Sequence, residues 1–189
     1  THQGWKTKKG QRLITNCGLA PMGWGLPASL GAALGSKRRV LLITGEGGLM
    51  MNIQELATLK QHQHDLTIKV FILSNGGYAT IKQTQEFGFE GRLMGVNEKT
   101  GLSFPNFCQI AAAHQLPYLH IKDHAAFHTM YAYFNSLGPM IYEIQMNPDQ
   151  PQAPRFLNRR NADGTMNPTK LEDAYPFLPH EVIAEEMSI

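Results

Sequence analysis

Two short stretches hold the residue types that could do chemistry. The first is Thr44-Gly45-Glu46-Gly47-Gly48, which follows the aliphatic run Val40-Leu41-Leu42-Ile43. The second is Ser74-Asn75-Gly76-Gly77-Tyr78, which follows Thr67-Ile68-Lys69-Val70-Phe71-Ile72-Leu73. A carboxylate at the end of a buried strand is costly unless something positive meets it. Glu46 supplies a carboxylate, Asn75 an amide oxygen and Gly77 a bare backbone carbonyl. Such hard oxygens suit Mg²⁺ or Ca²⁺, with water and phosphate completing the shell. The N–H groups of Gly47 and Gly48, near a helix start, suit phosphate. Together the two turns describe a diphosphate held through a divalent cation.

The elements that must position these turns follow from the pattern. Val40–Thr44 reads as a strand buried on both faces, and Thr67–Leu73 as the next strand. Pro117–Ile121 and Pro139–Met146 read as two more, and Arg12–Thr15 as a short one. Helices are expected over Trp24–Leu34, from Asn52 as N-cap through Leu59, from Tyr78 to about Gln85, from Pro105 to about His114 and over His124–Leu137. Strand and helix alternate, which argues an α/β fold with a doubly wound, mostly parallel sheet and helices on both faces. Ligands in such sheets bind outside the carboxyl ends of the strands, where both glycine turns lie. The stretch 86–104 has four glycines and no clean period, so it reads as a long loop. Residues 1–146 form the expected binding domain. Residues 147–189 are proline-rich and read as an extended tail packed on the domain or on a partner.

Composition excludes several classes. The 189 residues are 42% hydrophobic and 17% charged, with formal net charge +2, which suits a globular core and gives no case for nucleic acid. No run of 18 apolar residues and no secretory signal occurs, so no membrane partner is expected and the default location is cytoplasmic. Cys17 and Cys108 lack disulfide or metal spacing. The motif GxxxxGK[ST] is absent, and Met50 stands where GxGxxG needs its last glycine. His124 and His128 have the i, i+4 spacing of a helical metal pair but no acidic third ligand. His62, His64, His114 and His120 read as surface or structural. The chain starts at Thr1 without a methionine, which fits a piece of something longer.

Gly45-Glu46-Gly47, an interval of 26 residues, and Ser74-Asn75 at a strand end together resemble the Gly-Asp-Gly…Asn-Asn motif of thiamine diphosphate enzymes. The likeness extends upstream through NCGLAPMGWGLPASLGAALG and downstream through SFPNFCQIAAAHQLPYLHI. It is closest to the C-terminal, diphosphate-binding domain of the acetolactate synthase and pyruvate decarboxylase group. The resemblance implies a thiamine diphosphate-binding fold and a 2-keto-acid decarboxylase or carboligase, a lyase or transferase. It assigns Glu46, Asn75 and the Gly77 carbonyl to Mg²⁺, and Gly45, Gly47 and Gly48 to the diphosphate. Met22 would wedge under the coenzyme and enforce its bend, and the Ala20 carbonyl would face the coenzyme's amino group. Tyr78 and Ile81 would reach the coenzyme from the following helix.

The same resemblance implies what this stretch lacks. The activating glutamate of the family comes from a separate pyrimidine-binding domain, in the same or a second subunit, so no catalytic residue is assigned here. A homo-oligomer, a small 2-keto acid substrate and inactivity of this chain alone follow; FAD in the full-length protein stays open. Three residues depart from the pattern: Glu46 for Asp, Ser74 for the first Asn, and Thr84 where true acetohydroxyacid synthases carry tryptophan. The alternative is a non-catalytic assembly or regulatory domain that keeps the fold.

Overall fold

The structure is a computed structural model, and it describes residues 4–161 and 163–188. It divides into two compact units, Thr1–Pro148 and Asp149–Ile189.

In the first unit the chain runs α1 (Gly25–Ser36), β1 (Val40–Gly45), α2 (Glu46–Met50), α3 (Glu55–Gln61), β2 (Ile68–Ser74), α4 (Ala79–Gly88), a 3-10 turn (Glu98–Thr100), α5 (Phe107–Ala113), β3 (Tyr118–Ile121), α6 (Ala126–Phe134) and β4 (Met140–Gln145). The four strands pair in parallel in the order β1-β2-β4-β3. Parallel neighbours need crossovers, and the helices supply them. This is the expected α/β sheet.

The two faces are covered unequally. On one, Leu42, Ile68, Val70, Ile72 and Ile141 pack with Leu26 and Leu30 of α1, Leu49 of α2, Leu56 and Leu59 of α3, and Phe107 of α5. On the other, Phe71, Tyr142, Ile121 and Met140 pack against Phe127, Met130 and Phe134 of α6. The Phe71 and Tyr142 rings stack with centroids 4.9 Å apart. Burying such side chains contributes about 1.5–3 kcal/mol each.

α1 shows how small residues build a close crossing. Its buried positions Leu26, Ser29, Leu30 and Ala33 have the i, i+3, i+4, i+7 spacing of one helix face. A Cβ on Gly25 would stand 2.9 Å from the Leu42 side chain, so glycine lets the helix lie directly on β1. Lys37 ends the helix in the left-handed conformation, and its N–H donates to the Ala33 carbonyl.

Four expectations are corrected. Arg12–Thr15 is not a strand: residues 11–16 have no regular structure. β1 is not buried on both faces: Leu42 packs in the larger cluster, whereas Ile43, on the opposite face, lies outside the cluster under α6 and is 38% exposed. Residues 46–50 form a helical turn rather than an open glycine loop. Asn52 does not cap α3, whose flanking residue is Gln54; its amide instead donates to the Gly23 carbonyl at 2.9 Å. The other boundaries differ by a few residues, as helix ends do.

Lys69, the second residue of β2, has no exposed surface. Its ammonium donates to Ser136 Oγ and the Gly138 carbonyl, both at 3.1 Å, just beyond α6. Burial, and then repulsion from Arg39, lower its pKa. Arg39 itself donates to Asn135 Oδ1 at 2.8 Å and lies over the Phe134 ring. Both cations thus meet the carboxyl end of α6, where the helix dipole favours positive charge.

The second unit contains a short antiparallel pair, β5 (Arg159–Arg160) and β6 (Met166–Asn167), and α7 (His180–Glu186). It is more organised than a bare extended tail. Arg159 is its hub: it pairs with Asp173 at 3.3 Å, donates to the Leu178 carbonyl and lies over the Phe177 ring.

A depressed lysine pKa destabilises the fold wherever the unfolded chain holds that proton. The penalty is absent above the unfolded value near 10.4, sets in as pH falls through the window below it, and is complete below the folded pKa. Lys69→Met removes this desolvation penalty but also two hydrogen bonds, so it is expected to change stability at neutral pH by no more than about 1 kcal/mol, the scale of one hydrogen bond. Relative to wild type, the variant should lose ground as pH rises towards about 10 and the penalty on Lys69 disappears, as urea unfolding at several pH values would measure.

Candidate functional site

The two glycine turns meet at the carboxyl ends of adjacent strands. The register pairs Gly45 of β1 with Leu73 of β2, so Glu46 and Ser74 leave the sheet side by side. Glu46 opens α2 and is only 4% exposed. Its carboxylate crosses to the second turn. Ser74 Oγ donates to Oε1 at 3.0 Å, the Asn75 N–H donates to Oε2 at 2.8 Å, and the Gly76 N–H is shared between both oxygens at 3.2 and 3.0 Å. Gly76 lies at φ +72°, in the left-handed region, which turns its N–H towards the carboxylate. The positive partner that the buried carboxylate requires is therefore a set of backbone and hydroxyl hydrogens.

The rest of the second turn is equally tied. Asn75 Oδ1 accepts the Gly77 N–H at 3.0 Å. The Tyr78 N–H donates to the Val96 carbonyl at 2.9 Å, and Gly77 bridges to Asn97. Asn97 and Thr100 form a reciprocal capping box around the 3-10 turn. The long loop is pinned again by Gln85, whose side chain both accepts from the Met94 N–H at 2.8 Å and donates to its carbonyl at 3.1 Å.

Met22, Gly47 and Tyr78 come together. A Cβ on Gly47 would stand 2.0 Å from Tyr78 Cε1 and 3.0 Å from the Met22 methyl. The Tyr78 ring meets Phe104 edge-on at 5.8 Å. Gly45 precedes α2 without a side-chain cap, so the first-turn amides of α2, Gly47 and Gly48 among them, keep the polarity that suits an anion. The residues present thus fit the diphosphate end of a coenzyme. Ala20 is exposed with φ +44°, in the segment that the Asn52–Gly23 bond ties down. Met22 and Ile81 are 45% and 41% exposed beside the site.

The fit to a cation is different. Glu46, Asn75 and Gly77 do converge. However, an ionised carboxylate has about four acceptor positions, and three donors fill those of Glu46 with four contacts. The Asn75 oxygen is turned back on Gly77. As they stand, these groups do not present the open octahedral set that Mg²⁺ demands. Among the described residues no group of three or more His, Cys, Asp or Glu could hold a metal ion, His124 and His128 included.

Sequence reasoning noted Ser74 only as a departure from the pattern, without its bond to Glu46, and it missed Asn52 as a tether. A longer carboxylate together with a hydroxyl where the family has an amide was the available signal. A cleft of about 360 Å³ lies at the opposite, amino end of the strands and includes Lys37, Arg38, Arg39, Asp65 and Ser136. Arg38 there donates to the Gly10 carbonyl, and Arg39 is engaged by α6 as described.

Gly77→Ala should be the harsher of two glycine substitutions. Its Cβ would stand 2.4 Å from the Val96 carbonyl oxygen, which is backbone, whereas Gly47→Ala meets side chains. Overpacking costs typically ~1–3 kcal/mol, so a loss of about 2 kcal/mol or more is expected for Gly77→Ala and less for Gly47→Ala by denaturant unfolding.

Comparison with known proteins gives a consistent result. The family model described as "Thiamine pyrophosphate enzyme, C-terminal TPP binding domain" matches residues 1–143. The chain is 33% identical over 156 residues to the acetolactate synthase isozyme 1 large subunit of Escherichia coli (strain K12), covering 82% of this chain and 27% of that protein. It is 35% identical to the isozyme 2 large subunit of the same organism, covering 77% and 27%. It is 30% identical to acetolactate synthase of Arthrospira platensis, covering 79% and 26%. The chain thus spans about a quarter of the length of these curated relatives. Among solved structures, a Rhodococcus jostii RHA1 thiamine diphosphate-dependent 4-hydroxybenzoylformate decarboxylase superposes with TM-score 0.61 at 23% identity, covering 69% of this chain and 24% of that one. At that identity the likeness speaks for the fold alone.

Proposed function

The chain belongs to the thiamine pyrophosphate enzymes, as their C-terminal TPP-binding domain, and from that membership we propose that it holds the diphosphate end of thiamine diphosphate in an acetolactate synthase-like 2-keto-acid decarboxylase or carboligase. The observation that carries the reading is the joining of the two glycine turns at the ends of β1 and β2, with Met22 and Tyr78 against Gly47.

Each residue then has a physical task. The N–H groups of Gly47 and Gly48, at the start of α2, face the diphosphate. Asn75 shapes the second turn by accepting from Gly77, so its side chain acts through backbone geometry. Met22 offers a partly exposed apolar surface under the coenzyme, and the Ala20 carbonyl stands two residues before it. Tyr78 and Phe104 wall the site and exclude water. When bound, thiamine diphosphate supplies an electron sink for the bond beside the keto group.

A pyrimidine-binding domain, from the same or a second subunit, completes the site in this reading, and a homo-oligomer would bring it there. The chain by itself is then inactive. The matched stretch is 27% of these relatives, which leaves room for such a domain. Among the described residues no helix is long and apolar enough to cross a membrane. The second reading, a non-catalytic assembly domain, is favoured by one observation: the carboxylate of Glu46 is occupied by its own chain.

Calorimetry of the complete protein with thiamine diphosphate distinguishes the two. The enzyme reading expects binding that weakens about tenfold or more, roughly 1.4 kcal/mol, in both Asn75→Ala and Met22→Ala. An absence of coenzyme binding, with and without Mg²⁺, would leave the assembly reading.

A further inference from the structure

Glu46 and Ser74 both depart from the family pattern, and the structure places them in contact. Their side chains bond to each other at 3.0 Å across 28 residues of sequence. The added methylene of Glu46 carries its carboxylate into the second turn, where it reaches two successive N–H groups. Ser74 is shorter than asparagine and puts a hydroxyl, not an amide, on the near oxygen. The two changes are complementary in length and in hydrogen-bond polarity.

The result is a direct link between the turns. A divalent ion could also link them, by drawing one oxygen from each side. Here the carboxylate does so unaided, buried and filled by donors. For a cation to use Glu46, at least one of these charge-assisted hydrogen bonds would have to break. Mg²⁺ binding would then bear the cost of opening the latch, besides its own reluctance to dehydrate.

We infer that Glu46 and Ser74 form an internal latch that takes over the loop-bridging role of a divalent cation, so that this chain binds thiamine diphosphate with little dependence on Mg²⁺. The inference rests on the coenzyme-binding reading above and goes beyond it. It concerns how the two turns are held, not which keto acid reacts.

The test measures thiamine diphosphate binding to the complete protein by calorimetry, once with a chelator and once with excess Mg²⁺. Uptake of Mn²⁺, read by its electron paramagnetic resonance, serves as a second measurement. Wild-type affinity should change by about fivefold or less between the two conditions. In the Glu46→Asp/Ser74→Asn double variant the latch is gone, and the difference should grow beyond about tenfold with tighter Mn²⁺ uptake. Ser74→Ala removes a single donor and guards against a double variant that fails to fold; it too should take up Mn²⁺ more tightly than wild type. Coenzyme binding by wild type that collapses on chelation overturns the latch while leaving the functional reading intact. Equal Mn²⁺ affinity in wild type and Ser74→Ala also overturns it. No coenzyme binding under either condition overturns both.

Discussion

One buried carboxylate ties the site together. The carboxyl group of Glu46 leaves the end of β1 with almost no solvent around it. The fold meets it with a hydroxyl and two backbone N–H groups from the end of β2. Hydrogen bonds to charged groups contribute about 1.5–3 kcal/mol each, and a buried charge left without them is expensive. The constraint therefore works in both directions. The carboxylate holds the second turn in shape, and the turn keeps the carboxylate from being a liability. Gly76 can serve here because its positive φ turns an amide inwards at little conformational cost.

The scaffold makes that contact possible by fixing where two strands end. Parallel pairing puts Gly45 opposite Leu73, so both turns emerge at one level. The face carrying α1, α2, α3 and α5 forms the larger apolar cluster and holds α2 against β1. The opposite face is covered by α6, and it accommodates a buried lysine at the helix end. The two ends of the same strands thus differ: Lys69 and Arg39 meet the end of α6 at one, and the glycine turns lie at the other.

Membership of the thiamine pyrophosphate enzymes gives these turns their context, and the departures give this chain its individuality. A carboxylate one methylene longer is a small chemical change. At the mouth of the turn the Glu46 carboxylate faces inward, to its own chain. The neighbouring hydroxyl at Ser74 makes the inward choice the better satisfied one.

Much of this was legible in the chain itself. The alternation of aliphatic runs with helical periods placed β1–β4 and their order along the sequence, because side-chain patterning is local and repeats along each element. Gly45-Glu46-Gly47 and Ser74-Asn75-Gly76 stood out because each sets a polar side chain beside glycine at the end of an aliphatic run. Other features were not legible, since they depend on what arrives from a distance. Whether Arg12–Thr15 pairs as a strand, and whether both faces of Val40–Thr44 are covered, is decided by neighbours far along the chain. Asn52 looked like a cap because its local pattern fits one, yet the carbonyl of Gly23 claimed its amide. Lys69 read as an ordinary strand residue until α6 closed over it. Residue types and spacing alone determined that Glu46 and Asn75 lie in glycine turns at strand ends. Tertiary structure alone decided that Glu46 points at the Ser74–Gly76 turn, because a hydrogen bond across 28 residues exists only once register and packing have brought its two ends within reach.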